Sequence, residues 1–469
     1  MSISRRRFVS STAAGIVGAG LSRKSASAAA RAEEEAQAAG KPVAPSDRVI
    51  VALVGCGGMG KSNLRNFIRM PEVQVAAVCD VWEHNRAGAA RIVGGSSVQQ
   101  VSDFRRVIDM KDVNVVIVAT PDHWHAIPTI AAIESGKDVY VEKPLAHNIY
   151  EGRKIVEAAA RHKRIVQMGT QQRSGEHFQE AVKLVRDGKL GTVGRVHCWN
   201  YQNQSPAGIG NPPDSAPPPG LDWDMYLGPA AKVPFNPNRF TWNFRWYWDY
   251  AGGMMTDWGV HLIDIVQWAM NTPSPTAVSA SGGRFHLKDN RETPDTILAV
   301  YEYPGYVMTY ENRSGNGWVP DGRTYGILFY GSDATLFVDR AGYELIPETA
   351  GQDTEPTPAY LNEMKEAQNP VQPWERPRRM RPGRTTYARG EGSDQNLSHT
   401  RNFLSCIKSR KKPNSDAETG HYSTAAAHLG NVAFRSGDKI KWDAKHERVI
   451  DNPKANQFIT REYRAPWKV

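Results

Sequence analysis

Asp257 and His261 stand four residues apart in Gly252-Gly253-Met254-Met255-Thr256-Asp257-Trp258-Gly259-Val260-His261-Leu262-Ile263-Asp264. A stretch that runs helically to Met270 puts both on one helix face. Asp264, three residues further on, is expected to hold the other ring nitrogen of His261. A histidine flanked by carboxylates can be tuned for proton transfer, although the same spacing also describes an ordinary helix histidine beside two acids. Upstream, Gly55-Cys56-Gly57-Gly58-Met59-Gly60 matches G-x-G-x-x-G. There Gly55 permits the tight turn, Gly57 lets backbone approach a pyrophosphate, and Gly60 lets helix and strand pack closely.

The flanking elements fit that reading. Arg48 to Val54 is a near-continuous apolar run, the mark of a strand buried on both faces. A helix-compatible stretch follows from Lys61 to Met70, and its N-terminus offers unpaired N–H groups to phosphates. Val73 to Cys79 reads as a second buried strand ending at Asp80. A carboxylate there accepts both ribose hydroxyls and repels a 2′-phosphate, which favours NAD over NADP; a loop-capping acid is the plainer alternative. Trp82 either covers an adenine or closes the core.

Further strands are expected over Val113–Ala119, Asp138–Val141 and Ile165–Met168, with helices over Ala126–Ser135 and Ile149–Arg161. This alternation predicts a parallel, doubly wound sheet, a Rossmann domain over residues 47–172. Ligands in such sheets lie beyond the carboxyl ends of the strands. Three polar segments fall there: Thr120-Pro121-Asp122-His123-Trp124-His125, Glu142-Lys143-Pro144 and Gly169-Thr170-Gln171-Gln172-Arg173.

The glycine loop, the Glu142-Lys143-Pro144 tripeptide and the Asp257/His261 helix, in that order, resemble the glucose–fructose oxidoreductase/inositol dehydrogenase (Gfo/Idh/MocA) family from about Arg48 onward. Within the family the chain looks most like an exported branch, marked by FRWYWDYAGGMMTDWGVHLID and the terminal REYRAPW. The resemblance implies an α/β second domain, residues 173–469, with a large, open, mostly antiparallel sheet often used to form homodimers or homotetramers. Val193–Asn200, Ala277–Phe285, Thr296–Tyr303, Tyr306–Asn312, Thr324–Tyr330 and Ala334–Val338 are its candidate strands, and Gln395–Ser409 and Thr419–Ser436 its later helices.

Carried over position by position, the resemblance implies an NAD site at Gly55, Gly57, Gly58, Met59, Gly60, Asp80, Thr120, Pro121, His125, Glu142 and Lys143. It implies that Lys143 donates to the reacting oxygen, that His261 is the acid/base, and that Asp257 orients the substrate and assists. Removing hydride from a carbinol carbon leaves an acidic O–H whose proton needs a base, and a nearby cation stabilises the alkoxide. Lys143 beside a nicotinamide cation is an alternative base; His261 is preferred. Arg173 and His177 are expected to face the substrate. Phe240 to Tyr250 holds seven aromatics in eleven residues, suited to sugar stacking or to a domain interface; Trp246 and Tyr247 are taken as substrate contacts. The Pro- and Gly-rich loop from Ser205 to Gly220 is expected as a rim or lid. No metal is expected: the His123/His125 pair lacks completing ligands and hydride transfer needs none.

Composition bounds the rest. The chain has 469 residues, four cysteines without metal-ligand spacing, and a net charge of +9. Ser4-Arg5-Arg6-Arg7-Phe8, a short apolar stretch and an Ala-rich exit over residues 1–30 resemble a twin-arginine signal, followed by an arm over 31–46. Cleavage near Ala28 removes Arg5, Arg6, Arg7, Arg23 and Lys24, lowering the charge to about +4, too mild for a nucleic-acid surface. The expectation is a periplasmic or otherwise exported protein, handled by the twin-arginine machinery, with no stable membrane anchor. Outside the inner membrane an NAD pool is not expected, so the nucleotide must stay bound and be recycled. Two reactions on a sugar, glycoside or cyclic polyol satisfy this. One is coupled oxidation and reduction. The other is transient oxidation, commonly at C3, followed by elimination and hydration of a glycosidic bond, with His177 or His125 as the extra base. A non-catalytic binding protein on a dehydrogenase scaffold is the remaining alternative. Residues 346–396 read as a polar surface excursion, basic over Arg376–Arg384.

Overall fold

The computed structural model describes residue 44 and residues 47–94, 98–319, 322–348, 350–353, 362, 365, 378–381 and 385–469. The expected signal, nearly all of the arm, and most of the polar stretch 346–396 lie outside the described residues. Val49–Val469 forms one compact unit.

Its first half is built on six strands: β1 (Val49–Val54), β2 (Val73–Cys79), β3 (Gln99–Val101), β4 (Val115–Val118), β5 (Asp138–Val141) and β6 (Val166–Met168). All pair in parallel, in the order β3-β2-β1-β4-β5-β6. Helices α1 (Gly58–Phe67), α2 (Glu83–Val93), α3 (Phe104–Asp109), α4 (Ala126–Glu134) and α5 (Ile149–His162) connect them. β4 and β5 are buried at every position, which is why they read as continuous apolar runs rather than alternations.

The second half opens with α6 (Glu176–Arg186) and β7 (Val193–Tyr201). After the short α7 (Trp223–Leu227) come α8 (Gly253–Asp257) and α9 (Gly259–Met270). The strands β8 (Ala277–Gly283), β9 (Thr296–Tyr303), β10 (Tyr306–Arg313), β11 (Tyr325–Gly331), β12 (Ala334–Asp339) and β13 (Gly342–Pro347) follow. A separate hairpin pairs β14 (Ala350–Asp353) with β15 (Arg378–Arg381). The chain finishes with β16 (Ala388–Glu391), α10 (Gln395–Ser409), α11 (Ala417–Ser436), β17 (Ile440–Asp443), β18 (Arg448–Val449) and α12 (Pro453–Asn456). The ten-stranded sheet runs β16-β13-β12-β11-β7-β10-β9-β8-β17-β18 and is antiparallel except where β10 lies parallel to β7.

Two helices near the C-terminus weld the halves together. α10 crosses back to the nucleotide-type sheet, where Phe403 is fully buried against Phe67 and Tyr140 at centroid distances of 6.2 and 5.8 Å. α11 lies between the two layers. Its small residues make that possible: a Cβ on Gly420 would come 3.0 Å from Met168, and one on Gly430 would come 2.4 Å from the Tyr301 hydroxyl. Thr424 Oγ1 on α11 accepts from the Leu145 amide, and His428 Nε2 meets the Ala146 carbonyl.

The last residues also return to the first domain. Arg461 pairs with the buried Glu151 at the start of α5, while Arg464 pairs with Asp224 of α7 within the second half. Trp467 packs on Phe104 and Trp124. Phe403→Ala is expected to lower unfolding free energy by about 3–5 kcal/mol, measurable by denaturant titration. A loss near zero would mean that α10 is not part of the first domain's core.

Candidate active site

The glycine loop is shaped by contacts that exclude a Cβ in some places and leave space in others. Gly55 has φ +91°, and a Cβ there would lie 2.5 Å from the backbone of Ala119 and Thr120. One on Gly60 would lie 1.9 Å from the Gly55 carbonyl oxygen. Cβ atoms on Gly57 and Gly58 would meet nothing within 4 Å. The first turn of α1 holds no acid and has no side-chain cap, so its N–H groups face that open space unpaired by side chains. Met59 is exposed at the same end.

At the tip of β2 the Asp80 carboxylate accepts from the amides of Cys56, at 2.7 Å, and Trp82, at 2.9 Å. Burial raises its proton affinity, and these two N–H groups oppose that rise. The buried Thr120 Oγ1 has no partner. Open cradle, orphan hydroxyl and carboxylate together fit a dinucleotide, with Gly55 to Gly60 on the pyrophosphate and Asp80 on the ribose. Trp82 reaches the Pro219 carbonyl and packs edge-on to Phe240, so the Pro- and Gly-rich loop closes over this end as a rim.

Glu142 lies inside. Its Oε1 accepts from Asn63 of α1 and its Oε2 from the Lys143 amide, which braces the glycine-loop helix against the end of β5. His125 is a second brace: Nδ1 meets the Pro144 carbonyl at 2.6 Å and Nε2 the Thr120 carbonyl at 2.9 Å, joining the loops after β4 and β5.

Lys143, thus placed, reaches the second domain. Its Nζ donates to Asp257 Oδ1 at 2.6 Å and to the Asp257 carbonyl at 3.0 Å. An ammonium has three donors, so one remains for a substrate oxygen. The other carboxylate oxygen, Oδ2, accepts from Arg245 at 2.5 Å. Despite burial, these two cations hold the Asp257 carboxyl well below its ordinary range. His261 is 6% exposed, and its Nδ1 is buried without a partner. Burial first, then Arg340 and Lys143, push it well below the usual histidine value, so the ring is neutral at pH 7 and able to accept a proton.

Several expectations are corrected here. Asp264 does not hold His261; it forms a buried pair with Arg173 at 2.7 Å. Arg173 is therefore committed to Asp264, with its guanidinium over Trp268, rather than presented to a substrate. His177 spends both ring nitrogens on the protein. Nδ1 accepts from the Ser393 amide and Nε2 donates to the Asp339 carbonyl. Neither it nor His125 is free to act as an extra base. Trp246 and Tyr247 are each 1% exposed. Trp246 lies beneath Arg291, and the Tyr247 hydroxyl donates to Asn290, so both are core. Trp242, 69% exposed, is the open aromatic of that stretch, stacked at 3.9 Å on Arg245. His123 Nε2 meets the Tyr226 carbonyl, away from the partners of His125. Among the described residues no group of three or more His, Cys, Asp or Glu is placed to hold a metal ion.

Three site residues escaped the sequence reading. Arg245 is one; its only signal was a cation set among aromatics just ahead of α8. Arg340, whose guanidinium lies 4.8 Å from the Trp258 ring, gave no signal. Asp122 sits in a segment recognised as polar. Burial pushes its carboxyl up to about 7, against the lowering pull of Lys143, while Asp257 adds to the rise.

A parallel nucleotide-type sheet with an open glycine cradle, joined to a second domain on a large mixed sheet, is a two-domain dinucleotide-binding architecture. The chain belongs to the Gfo/Idh/MocA oxidoreductase family. The family's NAD-binding Rossmann model matches residues 49–170, and its C-terminal alpha/beta domain model matches residues 174–309 and 392–469. Inositol 2-dehydrogenase 3 of Saccharopolyspora erythraea is 36% identical over 152 residues, 32% of this chain and 44% of that protein. The uncharacterized oxidoreductase YrbE of Bacillus subtilis is 23% identical over 269 residues, 56% of this chain and 64% of that protein. The alignments thus span between 44% and 64% of these relatives' lengths. Levoglucosan dehydrogenase, solved with NADH and levoglucosan, has the same fold at TM-score 0.59 and 17% identity, covering 84% of this chain and 99% of that one. Aldose–aldose oxidoreductase from Caulobacter crescentus, solved with glycerol, gives TM-score 0.58 and 19% identity, with coverage of 84% and 99%.

Arg245→Ala is expected to lower kcat/KM by about 10- to 100-fold, the worth of one charged hydrogen bond, with Arg245→Lys recovering part of the loss in steady-state assays. Asp80→Ala should narrow the preference for NAD over NADP, read from the two dissociation constants. An unchanged ratio would reduce Asp80 to a loop cap.

Proposed function

We propose that this protein oxidises a hydroxyl of a sugar, glycoside or cyclic polyol with NAD that stays bound and is recycled within each cycle. The observation that carries this reading is the Asp257 carboxylate shared by Lys143 and Arg245, with a neutral His261 nearby whose buried Nδ1 has no partner. NAD, when bound, supplies a two-electron acceptor for the carbinol hydride. Lys143 donates its remaining N–H to the substrate oxygen and stabilises the alkoxide. His261 takes the hydroxyl proton, and Asp257 holds Lys143 in place.

Tight retention is argued from the twin-arginine-like N-terminus: export would put the enzyme in a compartment where no NAD pool is expected. Export by that machinery to the periplasm, and a homodimer or homotetramer formed across the outer face of the ten-stranded sheet, belong to the same proposal. Leu298 of β9 and Val307 of β10 are exposed there.

A second reading keeps the site and changes the outcome: transient oxidation at C3, loss of the C2 proton with departure of the C1 substituent, addition of water, and reduction of the ketone. Asp122 favours it. A carboxyl held at about 7 close to Lys143 and Asp257 suits a reversible C–H base better than either occupied histidine.

Mass spectrometry of sugars and glycosides after incubation separates the readings. A product two mass units lighter indicates net oxidation, and free sugar with aglycone indicates cleavage. No change across a broad panel would refute both. Denaturing the purified protein should release about one equivalent of NAD; an empty protein that exchanges NAD freely would sink the argument from export. Lys143→Ala and His261→Ala should each lower turnover by about 100- to 10,000-fold with NAD still bound. Because the base must be unprotonated, activity falls as pH drops through the His261 value. The acid limb of kcat/KM should therefore lie well below the ordinary histidine pH of 6.5.

A further inference from the structure

We propose that Arg340 recognises an anion on the substrate, so that the substrate is a sugar or polyol carrying an acidic group, carboxylate or phosphate. This rests on the oxidoreductase reading above and adds the chemical class of what is oxidised. Arg340 follows β12 at the turn into β13 and projects its guanidinium over Trp258, 4.8 Å from the ring centroid. Trp258 is the neighbour of Asp257 in the chain. Its ring lies edge-on to His261, at 6.2 Å between centroids, and 4.9 Å from Tyr325. The guanidinium therefore stands on the wall that faces the acid/base, and it feels both Asp257 and Glu142 electrostatically.

The charges around it are already allocated. Lys143 and Arg245 saturate Asp257, and Arg173 is spent on Asp264. Glu142 is buried and accepts from Asn63 and the Lys143 amide. Arg340 makes no ion pair among the described residues, and its Nε is buried without a hydrogen-bond partner. A guanidinium largely withdrawn from water and lacking a carboxylate carries an uncompensated desolvation cost. Stacking on Trp258 offsets part of it and fixes the plane of the fork. A planar fork of N–H donors matches a carboxylate or phosphate in geometry as well as charge.

The test compares glucose, glucuronate and glucose 6-phosphate as substrates of the wild-type protein, Arg340→Gln and Arg340→Lys, following the redox state of the bound nucleotide. The expected result is that wild type favours an acidic sugar. Arg340→Gln should lower the kcat/KM ratio of acidic to neutral sugar by about 10- to 100-fold, mainly through KM, and Arg340→Lys should restore part of it. Preference for glucuronate assigns a carboxylate, and preference for glucose 6-phosphate a phosphate. A wild-type preference for glucose, or an equal loss on all three in Arg340→Gln, overturns the proposal. Titration of the same three compounds by tryptophan fluorescence keeps the question separate from turnover. Acid-selective binding that Arg340→Gln abolishes, without oxidation of any sugar, would sustain Arg340 and sink the oxidoreductase reading. Absence of acid-selective binding would sink Arg340 alone.

Discussion

Asp257 carries a negative charge where little water reaches it, and two cations from opposite directions make that tolerable. Lys143 comes from the end of a strand in the first sheet, Arg245 from the aromatic turn ahead of the helix, and Asp257 from the helix of the second domain. A carboxylate so enclosed is expensive to leave with one partner missing. The interaction that assembles the chemistry is therefore also one that fixes the two layers against each other. The braces behind it serve the same end. His125 ties the loop after β4 to Pro144, and Glu142 ties α1 to Lys143, so the lysine has little freedom in where it points.

Much of this was legible in the chain. β2 and β5 were readable to the residue, β5 because it is buried at every position and β2 because its C-terminal half is buried and apolar even though Gln74 is exposed. The glycines could be assigned because a Cβ on Gly60 collides with Gly55. Lys143, Asp257 and His261 stood out through a family resemblance, and the structure brings Lys143 and Asp257 into contact. β13 and β16 were missed because they flank the polar stretch around residues 346–396 and their alternation is weak. Trp246 and Tyr247 look like a sugar platform in sequence. What covers them, Arg291 and Asn290, lies more than forty residues further along, and no local pattern announces it.

Histidine was the least readable residue type. His123, His125, His147, His177, His399 and His428 each set a ring nitrogen on a backbone carbonyl. A neutral imidazole can join two polar points across an apolar interior without bringing in a charge, so a fold with many irregular loops uses it as a cross-tie. An orphan Nδ1 does not set His261 apart, since His123 and His147 share it; what differs is the charges around the ring, Arg340, Lys143 and Asp257.

The return of α10 to the first sheet has a consequence for how the chain is made. Gln167 at β6 donates to the His399 carbonyl, 232 residues later, and the site of Phe67 and Tyr140 stays uncovered until Phe403 arrives. The nucleotide-binding half, although first to be synthesised, is among the last parts to be finished. Such long-range closure slows folding and makes it cooperative over the whole unit. It couples the birth of the cofactor cradle to completion of the C-terminus, so a truncated nascent chain has no finished half to offer a ligand.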